Sequence, residues 1–195
     1  MKLRESGMPE EAYWEILFDV DLILSRLQID GMIGNVVELG CGYGTFSVPV
    51  AQRISGLLRT YDIEPEMVAR TRQRANDAKV ENIRCVERDV FKDGFDDPSE
   101  SQDACLLFNI LHCEEPLRLL REAARVVRHG GHVLVIHWRH DPATPRGPDL
   151  QIRPKPETII DWARKTGLSV EIEDKFIDLP PWHYGLRLQR TTDQN

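Results

Sequence analysis

The residues with the clearest chemical potential stand in one short run, Glu38-Leu-Gly-Cys-Gly-Tyr-Gly-Thr45, in which three glycines alternate with other residues directly after an acidic side chain. Glycines at this spacing permit positive φ and let a ligand lie against bare backbone. A dinucleotide site of the GxGxxG kind would place its third glycine at position 45 and seat a pyrophosphate on the following helix. Position 45 is threonine, so the pattern is GxGxG instead. Asp62 and Asp89 come later, at the ends of the second and third expected strands. A carboxylate there can accept hydrogen bonds from both hydroxyls of a ribose, a device that nicotinamide sites share. Three acidic residues near one rim suit a cationic ligand that carries adenosine.

A second group could act on an acceptor. Histidine titrates near neutral pH and is the usual general base toward a hydroxyl or thiol. His137 and His183 are the candidates. His112 and Cys113 follow the expected fourth strand, His137 and His140 close the fifth, and Trp182, His183 and Tyr184 lie between the last two. These segments are expected to open on one rim, partly covered by Tyr13 and Trp14. The acceptor pocket there would have His112, Arg139, Trp182 and Tyr184 in its wall. For any one histidine, a hydrogen-bonded structural place is the commoner role, and Trp14 suits core packing better than a pocket wall. Arg139, Arg146 and Arg153 punctuate a long proline-rich loop; they either bind an anionic acceptor such as a carboxylate or face solvent. The histidines and cysteines show neither HxxxH nor CxxC spacing, so no metal site is expected.

The elements that must position these groups alternate. Apolar residues from Tyr13 to Leu27 recur at helical spacing and predict one amphipathic helix. Asn35 to Leu39 reads as a strand, and the glycine turn then leads into a helix marked by Phe46, Val50 and Ile54. Strands are predicted at Leu57 to Asp62, Asn82 to Arg88, Asp103 to Asn109 and His132 to Trp138, with helices at Pro65 to Lys79 and Pro116 to Arg128. Gly130-Gly131 should end the latter helix. Arg70, Arg72 and Arg74 read as a solvated helix face. After the loop from Asp141 to Pro156 come a helix, Glu157 to Lys165, and two strands, Leu168 to Ile177 and Tyr184 to Arg190. Their connection is too short for a parallel crossover, so they must pair antiparallel. The pattern is α/β: a doubly wound, mostly parallel, seven-stranded sheet with an antiparallel terminal strand. Residues 1–34 form a helical cap and residues 35–195 a single ligand-binding domain.

The chain has 195 residues, enough for one sizeable core, and 41% are apolar. A net charge of −7 disfavours nucleic acid as a bulk partner. No stretch reaches the roughly 20 apolar residues of a spanning helix, so no membrane association is expected. Met1 to Glu11 is too charged for a secretory leader, which makes the cytoplasm the default address. Cys41, Cys85, Cys105 and Cys113 are scattered and are expected to be reduced, with Cys41 and Cys105 as small core residues.

In order along the chain, Val37-Glu-Leu-Gly-Cys-Gly-Tyr-Gly44, Tyr61-Asp-Ile-Glu-Pro-Glu-Met-Val68, Phe108-Asn-Ile-Leu-His112 and Ala124-Arg-Val-Val-Arg-His-Gly-Gly131 resemble the successive motifs of class I S-adenosylmethionine-dependent methyltransferases. The resemblance implies S-adenosylmethionine as cofactor and methyl transfer to a small-molecule acceptor. It implies that Gly40, Gly42 and Gly44 pack against the cofactor and Glu38 holds its amino acid end. Asp62 would take the ribose, and Asp89 with Val90 the adenine edge. Asn109 would lie below the amino acid or methyl group, with Cys41 and Ile63 also in contact. Two departures stand out: His129 replaces a common proline, and the fourth strand ends without an Asn-Pro-Pro-Tyr-like signature, which argues against methylation of a nucleobase amine. The rival readings are a nicotinamide-dependent oxidoreductase and a non-catalytic S-adenosylmethionine-binding sensor or partner subunit.

Overall fold

A computed structural model describes residues 8–170 and 176–191. Its centre is a sheet in the order β3-β2-β1-β4-β5-β8-β6, with β7 also paired to β8. Strands β1 (Val36–Leu39), β2 (Leu58–Asp62), β3 (Ile83–Glu87), β4 (Gln102–Phe108) and β5 (Val127–Trp138) run parallel. β8 (His183–Arg190) lies antiparallel to β5. β6 (Leu168–Val170) and β7 (Ile177–Leu179) pair antiparallel with separate stretches of β8, which makes eight strands where seven were expected. The middle of the predicted strand from Leu168 to Ile177, at 171–175, lies outside the described residues.

Alternation along the strands feeds two cores, one on each face of the sheet. Leu134, Ile136 and Trp138 join Ile23 and Leu24 of α2 (Val20–Arg26), Leu27 at its C-terminal end, and residues of α3 (Ser47–Arg53) and α4 (Pro65–Asp77). Val133 and Val135 join α6 (Pro116–Val126) and α7 (Pro156–Arg164) on the other side. Val133, Leu134, Val135 and Ile136 have no exposed surface, as the continuous apolar run of a sheet covered on both faces requires. Each such side chain contributes about 1.5–3 kcal/mol of burial.

The long first helix is two short ones, α1 (Glu11–Glu15) and α2. Asp19 supplies the break: its Oδ1 accepts from the Leu22 N–H at 3.0 Å and caps α2. The break lets Phe18 turn inward against Phe46. A four-residue α5 (Val90–Asp93), absent from the sequence reading, is capped by Asp89 accepting from Lys92 N–H at 3.1 Å. α6 ends at Val126, and residues 127–131 already belong to β5, so the two glycines lie inside a strand rather than after a helix. A Cβ at Gly131 would come 2.7 Å from the Asp103 carbonyl oxygen, so the close approach of β4 demands glycine there.

The arginines of α4 lie at the surface but are paired rather than free. Arg70 donates two hydrogen bonds to Glu11, at 2.8 and 2.6 Å, and Arg74 is hydrogen-bonded to Glu15. Arg72 donates to the Cys85 carbonyl at 2.6 Å. Two of the three thus hold α1 against α4, beside the glycine turn. Among the described residues no helix is long and apolar enough to cross a membrane.

Candidate active site

The glycine turn is braced from both sides. The Gly40 N–H donates to the Tyr61 carbonyl at 2.7 Å, which joins the end of β1 to β2. The Gly42 N–H donates to Asp62 Oδ2 at 3.1 Å, and the Glu64 N–H donates to Oδ1 at 3.0 Å. The Thr71 hydroxyl of α4 closes the turn by donating to the Gly42 carbonyl at 3.0 Å. Gly40 has φ of +85°, and a Cβ built there would meet nothing within 4 Å. The turn is therefore open at Gly40, above the carboxyl end of β1, where open α/β sheets bind ligands, whereas a Cβ at Gly42 or Gly44 would meet Met8 at 3.3 Å or Thr71 at 3.2 Å.

Two buried carboxyls lie beneath this turn. Glu38 is 2% exposed and accepts a hydrogen bond from the Ser47 hydroxyl at 2.5 Å. Burial pushes its pKa up to about 7, with the Asp62 charge adding to the rise and the Ser47 bond opposing it. Asp62 is also raised, first by burial, against the two backbone hydrogen bonds it accepts. Ile63, the next residue, is an exposed apolar side chain, while Val90 is buried at the foot of α5. Cys41 is buried, and burial pushes its thiol well up, so it is a packing residue without thiolate character. Asn109 adopts φ of +56°, and both polar atoms of its amide are buried without a partner. Its N–H holds the Ile136 carbonyl at 2.8 Å, so the amide stands where β4 and β5 end.

The acceptor-side residues divide between the two faces of the sheet. His137 has no exposed surface, its ring centroid lies 5.6 Å from that of His112 and 6.2 Å from Tyr184, and its Nε2 has no partner. Burial first, then His112, drive its pKa well below the usual value. Burial, with Arg153 adding, brings His112 down to about 4. His183 lies on the opposite face, stacked on Phe18 at 4.6 Å and against Trp138 at 4.1 Å, and burial lowers it to about 3. Tyr184 is buried and donates its hydroxyl to the Pro154 carbonyl at 2.8 Å. Trp14 is half-buried and packs edge-on against Phe18 at 4.7 Å, Trp182 packs against the same core, and Tyr13 is exposed. Arg139 pairs with Asp178 and donates to the His183 carbonyl at 3.1 Å. Clefts of about 600 and 490 Å³ lie between α5 and α6, with Val90 in the wall, and beside α2, with Phe18 and Thr45 in the wall. Among the described residues no three histidine, cysteine or acidic side chains are grouped as metal donors.

Residues 36–131 match the model of a methyltransferase domain family. That stretch of the chain belongs to this methyltransferase domain family. It is 32% identical over 111 residues to a phosphatidylethanolamine N-methyltransferase of Cereibacter sphaeroides, covering 55% of this chain. That match spans 53% of the relative, so the chain accounts for about half the length of the curated protein it resembles. The fold superposes with a TM-score of 0.79 on a SAM-dependent methyltransferase from Aquifex aeolicus, at 18% identity over 93% of this chain and 94% of that one. It superposes with a TM-score of 0.69 on magnesium protoporphyrin IX methyltransferase from Synechocystis PCC 6803 with bound SAH, at 17% identity over 97% and 91% of the chains.

Several residues that shape this candidate site carried no local signal. Ser47 and Thr71 are ordinary hydroxyls in helical segments until the fold brings them to Glu38 and Gly42. Arg153 reads as a loop arginine with solvent or an anion as its partner. It is 8% exposed and donates to the carbonyls of Arg139 and Pro148, at 2.8 and 2.7 Å, and is hydrogen-bonded to the Thr144 hydroxyl. It staples the long loop to the end of β5.

Proposed function

We propose that the protein is an S-adenosylmethionine-dependent methyltransferase that acts on a small molecule. The observation that carries this reading is the Gly42 N–H on the Asp62 carboxylate, which holds an acidic group suited to a ribose close to the open space at Gly40. The residues fit the cofactor on their own chemistry. Gly40 leaves room against the backbone, Asp62 presents a carboxylate, and the exposed Ile63 offers an apolar surface for a base. Glu38 and the unpartnered Asn109 amide supply polar atoms toward the amino acid end, and Asp89 with Val90 the adenine edge. Gly44 and Cys41 complete the turn.

Bound there, the cofactor supplies a methyl group on a sulfonium that is already an activated leaving group. The chain's own work is then to align an acceptor in line and exclude water. The residues for that work are His112 and His137 on one face, with Tyr184 buried beside them, while Tyr13, Trp14, Trp182 and Arg139 would border the approach from the side of His183, which is packed among aromatic rings. The relatives' named acceptors differ, phosphatidylethanolamine in one and magnesium protoporphyrin IX in another. The acceptor of this chain is therefore argued from its own residues. Four free cysteines, three of them buried, are in keeping with a reducing cytoplasm.

The test is transfer of labelled methyl from S-adenosylmethionine into a size-fractionated cell extract, with Asp62→Ala as control. Label in the low-mass organic fraction, lost in the variant, is the expected result. Label confined to protein or nucleic acid, or no transfer at all, contradicts the proposal.

A further inference from the structure

The polar groups at the carboxyl ends of β4 and β5 are chemically asymmetric. His137 Nδ1 faces the carbonyl oxygen of Trp138, at 3.4 Å, and a carbonyl only accepts. The ring proton of the neutral imidazole therefore belongs on Nδ1, which leaves Nε2 as a fully buried lone pair without a donor. Beside it, the Nδ1 of His112 is also buried and without a partner, and the ring centroids are 5.6 Å apart. The Asn109 amide, at the neighbouring strand end, adds one donor and one acceptor, both unpaired. A buried polar atom without a partner costs about 1–3 kcal/mol, so this concentration of them marks a place completed by a ligand. The fixed charge that bears on both imidazoles is positive, from Arg153.

We propose that His137 Nε2 receives the hydrogen bond of an uncharged hydroxyl group on the acceptor, so that this site methylates oxygen; the proposal rests on the methyltransferase reading above. A hydroxyl both donates and accepts, and so can satisfy the lone pair of His137 while taking a proton from an amide or imidazole nearby. A carboxylate has no proton to give and would set its lone pairs against Nε2. An ammonium would bring a second positive charge toward Arg153. A thiol is a weak donor and would leave much of the cost in place. In the transfer, the hydroxyl oxygen forms the C–O bond to the methyl carbon with its own electron pair as the C–S bond breaks and its pair goes to sulfur. Once methylated, the oxygen is an oxonium, a far stronger acid than an imidazolium, and its proton passes to His137 Nε2, so the positive charge moves from sulfonium to imidazole and no net charge is created.

Nitrogen-15 NMR of the histidine-labelled full chain at neutral pH, without cofactor, tests this with phenol, benzoate and benzylamine as probes. The expected result is an unprotonated Nε2 on His137 whose resonance moves with phenol and not with the other two. His137→Phe should weaken phenol binding about tenfold. A protonated Nε2 in the free protein, a response to benzoate or benzylamine as large as that to phenol, or no response to any probe overturns the proposal. Calorimetry of the same wild-type sample with S-adenosylhomocysteine keeps the two readings apart: absence of binding there contradicts the methyltransferase reading, whatever the probes do.

Discussion

His137 and His183 sit on adjacent strands one pair out of register and face opposite sides of the sheet. Tyr184 is opposite His137, and Trp138 is opposite His183. Because successive residues of a strand point to opposite faces, His137 shares its side with His112 and α6, and His183 shares its side with Phe18 and α2. The first has one nitrogen engaged and the other waiting for a donor. The second has both nitrogens buried without partners between aromatic rings.

Replacing His183 by phenylalanine should therefore cost nothing. A somewhat larger planar ring replaces the imidazole and two unpaired polar atoms are removed, so His183→Phe is expected to leave stability unchanged or to raise it by up to about 1 kcal/mol. Urea denaturation checks this; a loss above about 2 kcal/mol would mean that the imidazole has partners the packing does not reveal.

Glu38 makes the ligand-free protein sensitive to pH. Its carboxyl is near 7 when folded and returns to the ordinary 4.5 when unfolded. Between those values the folded chain keeps a proton that the unfolded chain has released, so stability falls as pH rises from 4.5 to about 7 and levels off above that. The full effect is about 3 kcal/mol. Denaturation midpoints across this window should decline for the wild type and flatten for Glu38→Gln. A wild-type midpoint that rises through the window would contradict the burial of a protonated Glu38.

Arg153 is expected to matter for the fold of the long loop. Arg153→Met keeps the bulk of the stem but leaves the carbonyls of Arg139 and Pro148 without their donor, at a cost of about 3 kcal/mol. The urea midpoint reads the loss, and hydrogen exchange should show it concentrated between residues 139 and 153. An unchanged midpoint would mean that water replaces the guanidinium without penalty.

What could be read from the sequence depended on the range of each interaction. The glycine turn, the carboxylate at the end of the second strand and the alternation of strands and helices were legible because local spacing and chain order dictate them. The side on which a histidine lies was not, because it depends on how β8 aligns with β5, and a shift of one residue reverses it. Arg70 and Arg74 read as solvated because their partners, Glu11 and Glu15, lie 59 residues away. Helix periodicity from Tyr13 to Leu27 continued through Asp19, whose capping hydrogen bond to Leu22 divides the segment. Arg153 looked like an exposed loop arginine because backbone carbonyls leave no mark in sequence.

The most direct test is calorimetric titration with S-adenosylmethionine of the wild type and of Asp62→Ala. The variant removes both the expected ribose contact and the carboxylate that holds the Gly42 N–H. Saturable binding by the wild type, weakened at least about tenfold in the variant, is the predicted result. Equal binding by both proteins, or binding of NADH and not of S-adenosylmethionine, would contradict the assignment of this glycine turn as a methyl-donor site.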